Sequence, residues 1–193
     1  WDLLDAADPT GHTPLSGITL YYNSPELSND VASFVFHVAA DSPYMSKVPA
    51  GGTPAPDFFN DPHVRRAFSR TVDFPAYLRD AWFNEAIQPT SWWVQGLKPD
   101  YENKSLVPYN LDLAFVESEL KQAMFAGTSL WDSGFETYLV YNLGNDQRKI
   151  FAELMRDTIH SLNAKRTGKP PFKVTVVGLD WPTYLDYLEL RYM

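Results

Sequence analysis

Apolar and polar positions along this chain switch between strand and helix periods, and the last third shows the switch most clearly. Glu136–Tyr141 is rich in β-branched and aromatic residues and predicts a strand. Asn145 then stands where a helix cap belongs, ahead of an inner face made by Ile150, Phe151, Leu154, Ile159 and Leu162. Asp146 falls in that helix's first turn, and Lys165 and Arg166 follow its end, both signs matching the helix dipole. Phe172–Val177 predicts a second strand. Strand, long helix, strand is a βαβ unit, expected to cross over onto a parallel sheet. Beyond it, Asp180 as N-cap, Pro182 in the first turn, and Leu185 and Leu188 on one face predict another helix, inside which the chain stops.

The first two thirds are less regular. Residues 1–15 are polar and Pro-rich and read as a loop. Ile18–Tyr22 predicts a strand after Gly17. Ser33–Ala39 sets Phe34, Phe36 and Val38 against Val35 and His37 and predicts a strand buried on both faces. Residues 41–57 carry four prolines and two glycines and predict an ordered surface loop. Asp61-Pro62 opens a helix with Val64, Ala67, Phe68, Thr71 and Val72 on its inner face. Asp73 opens a second through Tyr77, Leu78, Ala81 and Trp82. Residues 83–109 read as irregular. Asp112–Phe125 predicts a helix lined by Leu113, Val116, Leu120 and Met124. Together these elements give an α/β class, with a central mixed or mostly parallel sheet flanked by helices, in one domain spanning 1–193.

Composition narrows the function. Sixteen Lys and Arg against 24 Asp and Glu leave a net charge of −8, which argues against nucleic acid as a partner. With no cysteine, disulfides, thiolate catalysis and Cys-based metal sites are excluded. No apolar run approaches the ~18 residues of a membrane span. The chain holds no phosphate-binding GxxxxGK[ST] or GxGxxG and no GxSxG elbow. Its four histidines, His12, His37, His63 and His160, show no ligand spacing, so no metal and no cofactor are expected. Glu117 and Glu119 fall on different faces of one helix and read as solvated carboxylates. Trp92-Trp93, in irregular sequence, either stacks on a partner or fills the space beneath a loop. Trp181, with Tyr184 and Leu185 one turn on, starts a helix directly after a strand, where α/β sheets often hold ligands; a packing anchor is the competing reading. Asn103-Lys104-Ser105 is a glycosylation triplet of a kind that chance often produces. No nucleophile or metal constellation supports a hydrolase, and the chain reads as a non-enzyme.

Several segments, in order from about residue 34 onwards, resemble the extracellular solute-binding proteins of peptide-type ABC importers, family 5. They are Phe58-Phe59-Asn60-Asp61-Pro62-His63-Val64-Arg65-Arg66-Ala67-Phe68 with Thr71-Val72-Asp73; Glu85 to Pro89 and Gly96 to Tyr101; Tyr109-Asn110-Leu111-Asp112-Leu113-Ala114; Gly134-Phe135 to Tyr141-Asn142 with Gly144-Asn145 and Arg148; and Leu179-Asp180-Trp181 with Tyr184-Leu185. Each is weak alone; order and spacing make the set specific. Departures are Leu113-Ala114, where the family pattern has Lys-Ala, and His37, where it often has Asn.

The resemblance implies a type II periplasmic-binding-protein-like lobe, the second of two lobes that close around a solute. A first lobe, an export signal and a final "GW-x-DY-x-DP" segment are expected outside this chain. It implies a peptide or similar small solute as ligand, ABC permease subunits as partners, a monomer, and a place outside the cell or in the periplasm. Asn142 corresponds to a cleft-facing amide, expected to donate and accept together, and Trp181 to a cleft-lining ring. Leu185 corresponds to an apolar neighbour, and Tyr184 is a further candidate. An oligosaccharide receptor, or a sensor or chaperone-like binding protein on the same lobes, are the alternatives.

Overall fold

In the computed structural model, residues 13–19, 30, 32–91, 93, 94, 97, 103 and 105–193 are described. Their centre is a four-stranded sheet of order β2-β1-β5-β6. β1 (Lys47–Val48) and β2 (Thr53–Pro54) form a small hairpin; β5 (Phe135–Asn142) and β6 (Phe172–Leu179) are the long strands. β5 and β6 run parallel in continuous register, from Phe135 opposite Phe172 to Asn142 opposite Leu179. Parallel neighbours need a long connection, and α5 (Asp146–Ser161) supplies it, packed against both. The sheet is therefore mixed rather than mostly parallel. Its β1–β2 and β1–β5 pairings are antiparallel, because the Pro-rich segment expected as a loop folds into a hairpin that joins the edge of β5.

The helix starts follow the caps in the sequence. Asp61, Asp73, Asp112, Asn145 and Asp180 each accept a backbone N–H from the first turn of α1 (Pro62–Phe68), α2 (Phe74–Trp82), α3 (Leu113–Gln122), α5 and α6 (Trp181–Glu189). Such a cap stabilises a helix by about 1 kcal/mol. The predicted inner face Val64, Ala67, Phe68, Thr71 and Val72 is buried throughout. α3 ends sooner than predicted: Met124–Phe125 is β3, which pairs with β4 (Thr128–Ser129) ahead of the short α4 (Leu130–Ser133). Val116 and Leu120 fill the core, while Leu113 and Met124 face solvent. α6 ends at Glu189, and a turn follows it.

Four phenylalanines hold the core together. Phe135 stacks on Phe172 across the parallel pair, with ring centroids 4.7 Å apart, and meets Phe58 at 5.1 Å and Phe68 at 6.1 Å. Truncating any one to Ala costs about 3–5 kcal/mol. α5 lies on the sheet face to which Leu139 points. α6 lies on the other, where Tyr44 bridges Tyr138 of β5 and Tyr187 of α6.

The predicted strand at Ser33–Ala39 is absent. Phe36 is 54% exposed, and the backbone there makes single bonds to separate partners, Val38 N–H to Pro56 and Ala39 N–H to Arg191, rather than a ladder. Phe34 alone reaches the core, stacked on Phe59. Of the predicted strand Ile18–Tyr22, only residues 18 and 19 are described, and they are irregular; His12, Trp92 and the loop at 1–12 lie outside the described residues.

Candidate functional site

Parallel strands place their carboxyl ends side by side, so β5 and β6 deliver Asn142 and Leu179 to the same edge of the sheet. Leu143 continues the pairing, its N–H donating to Leu179 C=O at 2.7 Å. Asp180 then turns the chain into α6: its carboxylate accepts the backbone N–H and the hydroxyl of Thr183, and those bonds hold it below the usual carboxylate range. Trp181 at the start of α6 stacks on Tyr184, with centroids 5.7 Å apart and planes 11° from parallel. Trp181 is 52% exposed and Leu185 41%; Leu143 is also exposed. The four residues expected at a binding face thus lie on two adjacent strand-to-helix junctions, and α6 buries none of its residues. A flat aromatic ring exposed in this way offers a wide apolar surface to a solute.

Asn142 is more constrained than its sequence position suggests. Arg148, in the first turn of α5, donates from Nη1 to Asn142 Oδ1 at 2.8 Å. The same guanidinium holds Asp30 through Nε and Nη2, with Nη2 to Oδ1 at 2.7 Å. That carboxylate raises the Arg148 pKa above the usual arginine value. Arginine has no acceptor, so the amide must present its oxygen to Arg148 and its Nδ2 elsewhere. Within the protein the Asn142 oxygen accepts from Arg148, and Nδ2 has no partner among the described residues.

In comparison with known proteins, no family model and no curated protein matches the chain. Among solved structures it is similar to NikA from Brucella suis, determined in complex with Fe(III)-EDTA, at 16% identity and a TM-score of 0.49. That match covers 76% of this chain and 28% of NikA, so the chain spans well under half the length of this neighbour.

Concave volume lies elsewhere on the surface. A groove of about 620 Å³ is bordered by Lys121, Trp131, Ser129 and Lys169, and one of about 320 Å³ by Phe58, Asp61, Phe125 and Leu130. Neither is lined by the junction residues.

Among the remaining candidates, Glu119 corrects the sequence reading. It is 7% exposed, and its Oε2 lies 2.8 Å from His63 Nδ1, tying α3 to α1. Glu117 stays near solvent, between Lys121 and Lys165. His160 Nε2 accepts the backbone N–H of Val174 at 2.9 Å, so it serves the sheet. No group of three or more His, Asp and Glu suited to a metal ion occurs among the described residues. No helix among them is long and apolar enough to cross a membrane. Trp93 is half-buried. Sequence reasoning missed Arg148 and Asp30 as part of this edge. Arg148 stood inside the Gly144-Asn145…Arg148 motif, but the 118-residue separation from Asp30 gave no signal of their meeting.

Proposed function

We propose that this chain is the ligand-contacting second lobe of a type II, family 5 extracellular solute-binding protein that hands a peptide or peptide-like solute to an ABC importer permease. The observation that carries this reading is the cluster of half-buried Asn142 and Tyr184 with exposed Trp181 and Leu185 at the carboxyl ends of two parallel strands. It coincides with the positions for which the ordered sequence motifs imply cleft contacts. The face is open, as half of a two-sided cleft is before the other half closes on the solute. Among the described residues, the arginine at this face is already paired with Asp30 and offers no free charge to clamp a solute. An aromatic floor with one amide suits a neutral, variable solute.

The test is a thermal-shift screen of the complete gene product against di- to pentapeptides, with oligosaccharides in parallel. Peptides are expected to raise the melting temperature, and Trp181→Ala to remove most of that rise. A sugar-only response favours the oligosaccharide receptor. No response from any solute, or a response indifferent to Trp181→Ala, sinks the proposal.

A further inference from the structure

We infer that Arg148 is a positioning residue that turns the Asn142 amide so that Nδ2 is the group offered outward, and that the solute group seated there is a neutral acceptor, the carbonyl oxygen of an amide. This rests on the reading of the edge as a solute-binding face and adds what that face selects. The argument begins with valence. Arg148 offers only N–H groups, so the 2.8 Å contact from Nη1 fixes Asn142 Oδ1 towards it. The flip that would reverse the amide would set Nδ2 against a cation with no acceptor between them. Among the described residues Nδ2 makes no hydrogen bond, and Asn142 is only partly covered.

Charge then narrows the acceptor. Arg148 lies against both oxygens of Asp30, so the only guanidinium touching Asn142 is already neutralised. Asp180 follows Leu179, the register partner of Asn142, and is ionised more readily than a free aspartate. A solute carboxylate would meet the ionised Asp180 and no free cation from the Asn142–Arg148 pair. An ammonium group would meet the Nδ2 donor. A peptide carbonyl meets neither obstacle. A donor site left without its acceptor, or faced by another donor, loses affinity steeply.

Asn142→Asp is the decisive variant, because it keeps an oxygen for Arg148 while replacing the outward donor with an acceptor. The full-length gene product is studied with two probes, trialanine and spermidine, a cation without carbonyl acceptors. In the solute-free protein the Asn142 side-chain NH2 signals in NMR are expected to exchange rapidly with water, and trialanine, not spermidine, to shift them. Asn142→Asp is expected to weaken trialanine at least about 10-fold with no loss of melting temperature. Arg148→Met, which frees the amide to rotate, is expected to give a smaller loss. Protected NH2 signals in the solute-free protein, undiminished trialanine binding by Asn142→Asp, or a spermidine preference in the wild type would each overturn the inference. If neither probe nor any screened solute binds the wild type, the receptor reading fails instead, and the exchange rate alone still decides how the amide is oriented.

Discussion

Asn163 acts as a one-residue strand. Its Oδ1 accepts the N–H of Phe172 at 2.8 Å, and its Nδ2 donates to the C=O of the same residue at 2.9 Å. These are the two bonds that a neighbouring strand would make to the free edge of β6. Arg166 adds a third bond to the same Oδ1, at 3.2 Å. Phe172 is 1% exposed, so water does not simply replace the lost partner. Asn163→Ala therefore leaves two backbone groups unpaired, each costing about 1–3 kcal/mol. Taking a mid-range total of about 4 kcal/mol, and about 2–4 °C per kcal/mol for a chain of this size, the melting temperature should fall by roughly 8–16 °C. Asn163→Asp keeps the acceptor and gains charge towards Arg166, but turns an oxygen on Phe172 C=O; it should lose roughly half as much. Thermal unfolding gives the totals, and hydrogen exchange at the Phe172 amide locates them. A change below about 0.5 kcal/mol for Asn163→Ala, which is the range of surface substitutions, with Phe172 exchange unaltered, would refute the account of the edge.

Gly134 sits at φ 68°, ψ 175°, and a Cβ there would lie 2.5 Å from Pro170 C=O and 2.7 Å from that of Pro171. Gly134→Ala should cost at least about 3 kcal/mol by thermal unfolding, since strain and backbone collision add. Burial, then the Arg156 charge, lowers the His160 pKa below the ordinary imidazole range. Between that lowered value and about 6.5, the unfolded chain holds a proton that the folded chain does not. Its contribution is thus complete above about pH 6.5 and is lost as pH falls through the folded value. Urea midpoints from pH 7.5 to 5 should show this slope in the wild type and a flatter one in His160→Gln. Trp181→Ala should change stability by no more than about 0.5 kcal/mol, because the exposed ring packs on Tyr184 rather than on the core; calorimetry checks this.

What the sequence revealed depended on how local the cause was. Each Asp or Asn cap carries its own signal within three residues, and five helix starts fell where the caps stood. The βαβ unit was legible for the same reason: periodicity, cap and trailing basic residues all agree over about forty positions. Ser33–Ala39 misled because alternation reports available apolar faces, not a neighbour to pair with, and no strand among the described residues pairs with it. The β1–β2 hairpin was hidden by its prolines, which are tolerated at a sheet edge. Glu119 looked solvated because a carboxylate in an acidic chain is usually at the surface, but it stands one turn from Val116, and His63 of α1 meets it there. The site divided likewise. Asn142, Trp181, Tyr184 and Leu185 were nameable from motifs, but the Arg148–Asp30 pair, which decides what Asn142 can offer, joins positions too distant for any local pattern.

The β5–β6 pair makes one consequence of this arrangement concrete. At their amino ends the strands put Phe135 against Phe172, both almost fully buried, with Asn163 and His160 closing the edge. At their carboxyl ends the same two strands carry Asn142, Leu143 and Leu179, and cover falls away steadily between. Stability is thus concentrated at one end and exposed chemistry at the other, about seven residues, or roughly 23 Å, along each strand. Gly178 marks the changeover: a Cβ there would lie 2.5 Å from Leu143 Cδ2 and 2.8 Å from the Tyr141 hydroxyl, so these side chains close over it. Substitutions at Phe135, Phe172 or Asn163 should therefore unfold the chain without informing on binding. Substitutions at Asn142, Trp181 or Leu185 should alter binding on a scaffold that stays folded. The separation follows from parallel register, since only a parallel pair sends both strands from the core to the same exposed edge.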